Sequence, residues 1–413
     1  MNQLKPVRRL SVTKGFYRKH VHPFYEAAHQ AKMDGKPVAW VASTFPVEVL
    51  SALDVIPVWP ENYAALCASM HASVELCEKA EREGFSKDLC SYARCVIGAL
   101  DDSPSLPENG LPKPDLLVAS TCACDTHMKW FQVISQRLNV PFYLLDAPHI
   151  TYNKNGEALQ DYHVKFYVSQ LKRIIHLIET QLGTELENSK LKEAVKLSDQ
   201  TSRLWGEIQA YRKAIPTPMG ARDAFSAVFF MLSMPSSYNA IEFYTLLRDE
   251  LKERVANQLG ILENEECRLV WDNLPLWFDL GLFHYLNSLN AIVVAETFSH
   301  VWMGELNPSK PLESLAEKYL LNFANCSVEK KINLMVTLVK EHKADGVILP
   351  TNWGCRMMSV EETIVKEAIA ERLNVPSLII EVDSSDWRRY DEAYVKRRLK
   401  IFLDMLRQTK VSE

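Results

Sequence analysis

Two stretches of the chain carry the same order of apolar and polar positions. From Lys113 to Pro148 the sequence reads KPDLLVASTCACDTHMKWFQVISQRLNVPFYLLDAP, and from Lys343 to Asp383 it reads KADGVILPTNWGCRMMSVEETIVKEAIAERLNVPSLIIEVD. Each is an apolar run, a polar loop containing cysteine, an amphipathic stretch ending in Arg-Leu-Asn-Val-Pro, and a second apolar run. Short apolar runs bounded by polar residues predict buried parallel strands, and the 3.6-residue periodicity between them predicts a helix. The repeat extends upstream. Val38-Ala39-Trp40-Val41 predicts a strand and Ser43-Thr44-Phe45-Pro46 a helix start, where a hydroxyl caps free amides and proline tolerates the first turn. In the second half Leu269-Val270-Trp271 and then Asp272-Asn273-Leu274-Pro275 take those places, and Ser51-Ala52-Leu53-Asp54-Val55-Ile56 is matched by Ser288-Leu289-Asn290-Ala291-Ile292-Val293.

The predicted fold is therefore α/β: two related lobes, each a mainly parallel four-stranded sheet with flanking helices, joined by bridging helices. Residues 1–36 read as an N-terminal helical segment and 37–158 as the first lobe. Helical sequence fills roughly 62 to 100, and the loop DDSPSLPENGLP leads into the first repeat copy. Residues 159–220 read as the bridge, because Val164, Val168, Leu171, Ile174, Ile175 and Ile178 fall on one helical face. Pro216, Pro218 and Gly220 then break the periodicity, and 221–413 forms the second lobe, with helices over about 312 to 342 and a last one from about Glu392 to Arg407.

A length of 413 residues exceeds one typical core. The net charge of -5 shows no basic excess for nucleic acid. No apolar run approaches the roughly 20 residues that span a bilayer, and the N-terminus lacks the apolar core of a signal peptide, so a cytoplasmic protein is expected, with neither nucleic acid nor membrane as partner. Nine cysteines, irregularly spaced, argue against a disulfide framework. Neither Gly-x-x-x-x-Gly-Lys nor Gly-x-Gly-x-x-Gly occurs, so any ATP-driven step would fall to another protein.

Cys67, Cys77, Cys267 and Cys326 lie in strand-like or helical sequence and read as buried free thiols. Cys90, Cys122, Cys124 and Cys355 lie in or near polar loops, and in open parallel sheets ligands bind beyond the carboxyl ends of the strands. Together they suggest a metal or cluster held in a cleft between the lobes. Zinc would draw on Cys122, Cys124 and His127. Three thiolates from distant parts of the chain, leaving one position open, suit an iron-sulfur cluster better. Glu48, after the first strand, reads either as a first-turn carboxylate stabilised by the helix dipole or as an acid-base group, with Ser43 donating to a substrate carbonyl. Asp125, Lys129, Arg356, Asp146 and His149 also fall at strand ends or at the helix starts that follow.

Phe45-Pro46-x-Glu48, Cys-Ser-Tyr-Ala-Arg from Cys90 to Arg94, Cys-Ala-Cys-Asp from Cys122 to Asp125 and Trp-Gly-Cys-Arg from Trp353 to Arg356, in that order, resemble the 2-hydroxyacyl-CoA dehydratase and benzoyl-CoA reductase family. The resemblance covers nearly the whole chain, and STCACDTHMKWF leans toward the benzoyl-CoA reductase members rather than the dehydratases. It implies a 4Fe-4S cluster held by Cys90, Cys124 and Cys355, with Cys122 as a competing ligand. It also implies a homologous second subunit or a homodimer, an ATP-hydrolysing iron-sulfur activator that supplies single low-potential electrons, and an acyl-CoA or aryl-CoA substrate. A branch of the family with a double-cubane cluster in a homodimer, reducing small molecules, would draw on Cys95 and Cys122 as well. Another reading is a non-catalytic partner subunit with a structural metal.

Overall fold

The computed structural model describes residues 8–100, 105–153, 156–157 and 159–412. The first seven residues of the expected N-terminal segment and 101–104 of the proline-rich loop lie outside them. Strands β1 (Val38–Val41), β2 (Ile56–Val58), β3 (Leu116–Ser120) and β4 (Phe142–Leu145) form one parallel sheet in the order β2-β1-β3-β4. A two-stranded antiparallel hairpin, β5 (Tyr152–Asn153) and β6 (Gly156–Glu157), follows. Strands β7 (Cys267–Trp271), β8 (Ala291–Glu296), β9 (Gly346–Asn352) and β10 (Ser377–Val382) form the second parallel sheet. Traced from its β8 edge, that sheet runs β8-β7-β9-β10, the connectivity of the first.

The duplication reaches individual hydrogen bonds. Asp115 accepts from the Val38 amide at 2.8 Å and donates its own amide to the Val38 carbonyl at 2.7 Å, and Asp345 does both with Arg268, each at 2.7 Å. The aspartate in Lys-Pro-Asp and Lys-Ala-Asp thus ties the start of the central strand to its neighbour in both lobes. The asparagine of each Arg-Leu-Asn-Val-Pro adopts the left-handed conformation that ends the helix, Asn139 at φ 52° and Asn374 at φ 54°. After the first strand the two lobes are offset by one residue from the match of their loop tetrapeptides. The ladder pairs Val41 with Val118 and Trp271 with Ile348, and the next amides, Ala42 and Asp272, bond the Val118 and Ile348 carbonyls. Asp272 is therefore the counterpart of Ala42 rather than of Ser43, because register depends on the backbone ladder and not on similarity of the loop tetrapeptides.

Helices Asp161–Leu182 and Asn188–Tyr211 touch elements of both lobes: the first packs on β4 and on helix Pro311–Leu320, the second on helices Val47–Ala52 and Tyr238–Ala256. Val168, Leu171, Ile174, Ile175 and Ile178 are buried on the expected face and Val164 is partly buried against it. One apolar cluster runs from Ala39 and Val41 through Leu171 and Trp205 to Leu269 and Ile348, so the sheets share a continuous core. No helix among the described residues is long and apolar enough to cross a membrane.

In each sheet the chain leaves its central strand for one edge and then crosses back to the other side, so the strand order reverses between β1 and β3 and between β7 and β9. Loops at such a switch diverge and open a crevice beyond the carboxyl edge. The two crevices meet.

A candidate active site between the two sheet edges

A pocket of about 920 Å³, open mouth included, lies where those loops converge. Its wall takes Ser43 and Thr44 from after β1, Cys124 and His127 from after β3, Leu274 and Trp277 from after β7, Phe298 and Trp302 from after β8, and Cys355 from after β9. Cys90, Tyr92, Glu61 and Trp130 line it as well. The volume falls in the range of small-molecule sites, roughly 300–1,000 Å³.

Cys90, Cys124 and Cys355 each stand at the N-cap position of a helix, Ser91–Gly98, Asp125–Leu138 and Arg356–Ser359 respectively, and each keeps partial exposure. Free amides at a helix start favour negative charge, which suits sulfurs that must give up a proton to bind metal. Contacts between lobes bring the three loops together. Ser91 Oγ donates to Asp383 Oδ1 at 2.6 Å, Arg94 pairs with Asp386 at 2.8 Å, and Ser73 Oγ donates to the Ser385 carbonyl at 2.6 Å. Gly354 sits at φ +71°, and a side-chain carbon there would meet the Leu89 carbonyl oxygen at 2.9 Å and the Cys90 amide nitrogen at 3.0 Å. The glycine of Trp-Gly-Cys-Arg is thus what lets the Cys355 loop approach Cys90.

Burial pushes the Cys90 thiol up to about 12, with the neighbouring Cys124 adding to the rise and the Ala93 and Tyr92 amides opposing it. Cys355 is raised well above the usual thiol range by burial and then by Cys90 and Cys124. Among the described residues no Lys or Arg lines the pocket. The rise at Cys90 and Cys355 disfavours bare thiolates, a cost that a metal taking the place of the protons would offset. The donor set therefore fits a thiolate-held cluster. Among the described residues no three His, Cys, Asp or Glu side chains converge closely enough for a single metal ion, which leaves the zinc trio of Cys122, Cys124 and His127 apart.

Beside the thiols stands a carboxylate that local sequence did not single out. Glu61, in the first turn of helix Pro60–Ser69, accepts from the Ser43 amide at 3.2 Å and pairs through Oε1 with His127 Nε2 at 2.7 Å. Burial by itself would depress His127, but the charge of Glu61, then Cys124, then the hydrogen bond His127 donates to Glu61, and Asp125 together lift it to about 9. Glu61 Oε2 and His127 Nδ1 are both buried without a hydrogen-bond partner, which buried polar atoms rarely are. The only local signal was Pro-Glu-Asn opening a helix after β2, which also describes an ordinary first-turn acid.

The other expected residues lie elsewhere. Cys122 is buried and its thiol donates to the Tyr319 carbonyl at 3.0 Å, outside the pocket. Glu48 is fully buried, accepts from Ser198 Oγ at 2.8 Å, Lys318 Nζ at 3.2 Å and Tyr319 O–H at 3.3 Å, and is not part of the pocket wall. Ser43 does line it, and its carbonyl accepts from Trp302 Nε1 at 2.8 Å. Cys95 is buried in the outer core of the first lobe beside Cys67, and Cys77, Cys267 and Cys326 are buried too. Asp125 and Arg356 form an exposed ion pair. Asp146 accepts from Thr121 Oγ1 at 3.3 Å, and Lys129 and His149 are exposed.

A model of the family described as "2-hydroxyglutaryl-CoA dehydratase, D-component" matches residues 42–406. The (R)-2-hydroxyisocaproyl-CoA dehydratase alpha subunit of Clostridioides difficile is 27% identical over 389 residues, 94% of each chain. The alpha subunit of lactoyl-CoA dehydratase from Anaerotignum propionicum is 24% identical over 421 residues, 96% of this chain and 98% of the relative. A benzoyl-CoA reductase subunit of Thauera aromatica is 28% identical over 382 residues, 87% of this chain and 86% of the relative.

Proposed function

The chain belongs to the family of the 2-hydroxyglutaryl-CoA dehydratase D-component, and on that premise we propose that it is the iron-sulfur subunit of an enzyme passing single electrons to a CoA thioester, as a 2-hydroxyacyl-CoA dehydratase or an aryl-CoA reductase does. The observation that carries this reading is the meeting of Cys90, Cys124 and Cys355, from three separate loops, on one pocket at facing sheet edges. These three residues hold the cluster in this proposal. When bound, a 4Fe-4S cluster would supply one-electron reduction at low potential.

The chain's own groups manage position and protons. Tyr92, Trp130, Trp277, Phe298 and Trp302 line the pocket and exclude water from a radical. His127, lifted to about 9, pairs with Oε1 of Glu61 and orients its carboxyl group, and the free Oε2 of Glu61 takes or returns a proton on the substrate. In this reading Ser43, on the pocket wall, donates its hydroxyl to a substrate oxygen. We assign Glu48 a structural part, since Ser198, Lys318 and Tyr319 already occupy its carboxylate. The electrons come from a separate ATP-hydrolysing activator, consistent with a sequence that has no phosphate loop, and a homologous second subunit completes the enzyme.

Purified without oxygen, the protein should be brown, with about four irons and matching sulfide per chain. Glu61→Gln should keep that iron and lose turnover. A colourless protein with one zinc would overturn the proposal, and about eight irons would select the double-cubane reductase.

A further inference from the structure

Tyr92 lines the thiol pocket from the first lobe, 9% exposed, and the second lobe holds its hydroxyl. Trp277 Nε1 bonds the phenol oxygen. An indole N–H can only donate, so the oxygen accepts and its own proton points elsewhere. Burial raises the Tyr92 phenol well above its ordinary range, and Trp277 and then Ser384 oppose that rise, as donors to the oxygen do. Ser384 can donate its hydroxyl proton because Asn352 Nδ2 supplies its Oγ at 3.1 Å. The Ser384 amide returns a bond to Asn352 Oδ1 at 3.1 Å, and the Trp277 amide donates to the Ser384 carbonyl at 3.1 Å. Both donors on the phenol are therefore tied into one frame. They occupy its oxygen and leave its proton unspent.

A buried donor rarely lacks an acceptor. Among the described residues none accepts from the Tyr92 O–H, and the open space beside it is the thiol pocket. Thr44 Oγ1 and Trp130 Nε1, on the same wall, are also buried without a partner. Sulfide and thiolate sulfurs offer acceptors and no donors, so a group built from them matches this surplus of donors. Cys90 stands two residues before Tyr92, at the start of the same helix, and its charge acts on the phenol ahead of that of Glu61. The nearest use for the unspent proton is therefore on the sulfur side of the pocket.

We propose that the Tyr92 O–H donates a hydrogen bond to a sulfur of the group held by Cys90, Cys124 and Cys355 and makes that group easier to reduce, with Trp277 and Ser384 as positioning residues. The proposal rests on the thiolate-cluster reading of the pocket and adds a residue that sets its potential. Hydrogen bonds to sulfur raise a cluster's potential because they stabilise the extra negative charge of the reduced form. Tyr92 keeps its proton throughout. Only the strength of its bond changes when the electron arrives.

The experiment is a redox titration of the full chain, reconstituted without oxygen from ferrous iron and sulfide, with the midpoint read from the electron paramagnetic resonance of the reduced form. It compares the wild type with Tyr92→Phe, Ser384→Ala and Tyr63→Phe, each checked for iron per chain. Tyr92→Phe keeps the ring and loses only the donor, so it should hold wild-type iron at a lower midpoint potential. Ser384→Ala releases one tie on the phenol and should lower the midpoint by less. Tyr63, whose hydroxyl donates to the Pro107 carbonyl at 3.0 Å away from the pocket, is the control, and Tyr63→Phe should leave the midpoint where it was. Full iron with an unchanged midpoint in Tyr92→Phe would overturn the proposal and leave the cluster reading standing. If Tyr92→Phe takes up no iron, Ser384→Ala decides, and an unchanged midpoint there would overturn the proposal. A wild type that takes up no iron would overturn the proposal together with the reading beneath it.

Discussion

Gly354→Ala tests whether the close approach of two lobes builds the site. Gly354 lies at φ +71°, where a residue with a side chain costs about 1–2 kcal/mol. The added carbon would also sit 2.9 Å from the Leu89 carbonyl oxygen and 3.0 Å from the Cys90 amide nitrogen, both backbone atoms that cannot rotate aside. Relieving that overlap moves the Cys355 loop from the Cys90 loop at a further cost of about 1–3 kcal/mol, the usual range for overpacking. Gly183 is the control. It caps helix Asp161–Leu182 at φ +64° with nothing within 4 Å of an added carbon, so Gly183→Ala carries the conformational cost alone. Urea midpoints at equal slope should place Gly354→Ala about 1–3 kcal/mol below Gly183→Ala. Iron per chain after anaerobic reconstitution should fall in Gly354→Ala and stay full in Gly183→Ala. Equal midpoints with full iron in both would refute the idea that this glycine sets the Cys90 to Cys355 approach.

Serine at Cys90, Cys124 or Cys355 should each lower bound iron, whereas Cys122→Ser should retain it; iron analysis of the four variants would show the reverse if Cys122 were the ligand. Glu48→Ala leaves Lys318, 3% exposed at its side chain, without its anion, and should cost about 3–5 kcal/mol in urea unfolding. Unchanged stability with lost turnover would instead return Glu48 to acid-base chemistry. Burial raises Glu362 from its ordinary 4.5 to about 8, so the folded protein binds this proton more tightly than the unfolded chain does. Its stabilising contribution is full below about pH 4.5 and lost as the pH rises through about 8. Glu362→Gln should flatten that part of the stability profile, measured as urea midpoints from pH 5 to 9.

What the sequence determined by itself is the scaffold and the whereabouts of its crevice. Apolar runs at β1, β3, β7 and β9 and the face from Val164 to Ile178 are local patterns whose meaning needs only the period of a strand or a helix. Because the pattern occurs twice, it also showed that two cysteine-bearing loops lie at equivalent strand ends. Tertiary structure alone decided which side chains share the pocket. Cys122 and Cys124 are two residues apart in one polar loop, yet the first turns to Tyr319, 197 positions away, and the second into the cleft. Glu48 and Glu61 are both first-turn carboxylates after neighbouring strands, but the helix of Glu48 packs on Asn188–Tyr211 while Glu61 meets His127 on the pocket wall. Local sequence sets the conformation of a loop, and packing against residues far along the chain sets where its side chains end up. The choice between a strut and a reactive group is made by those distant partners.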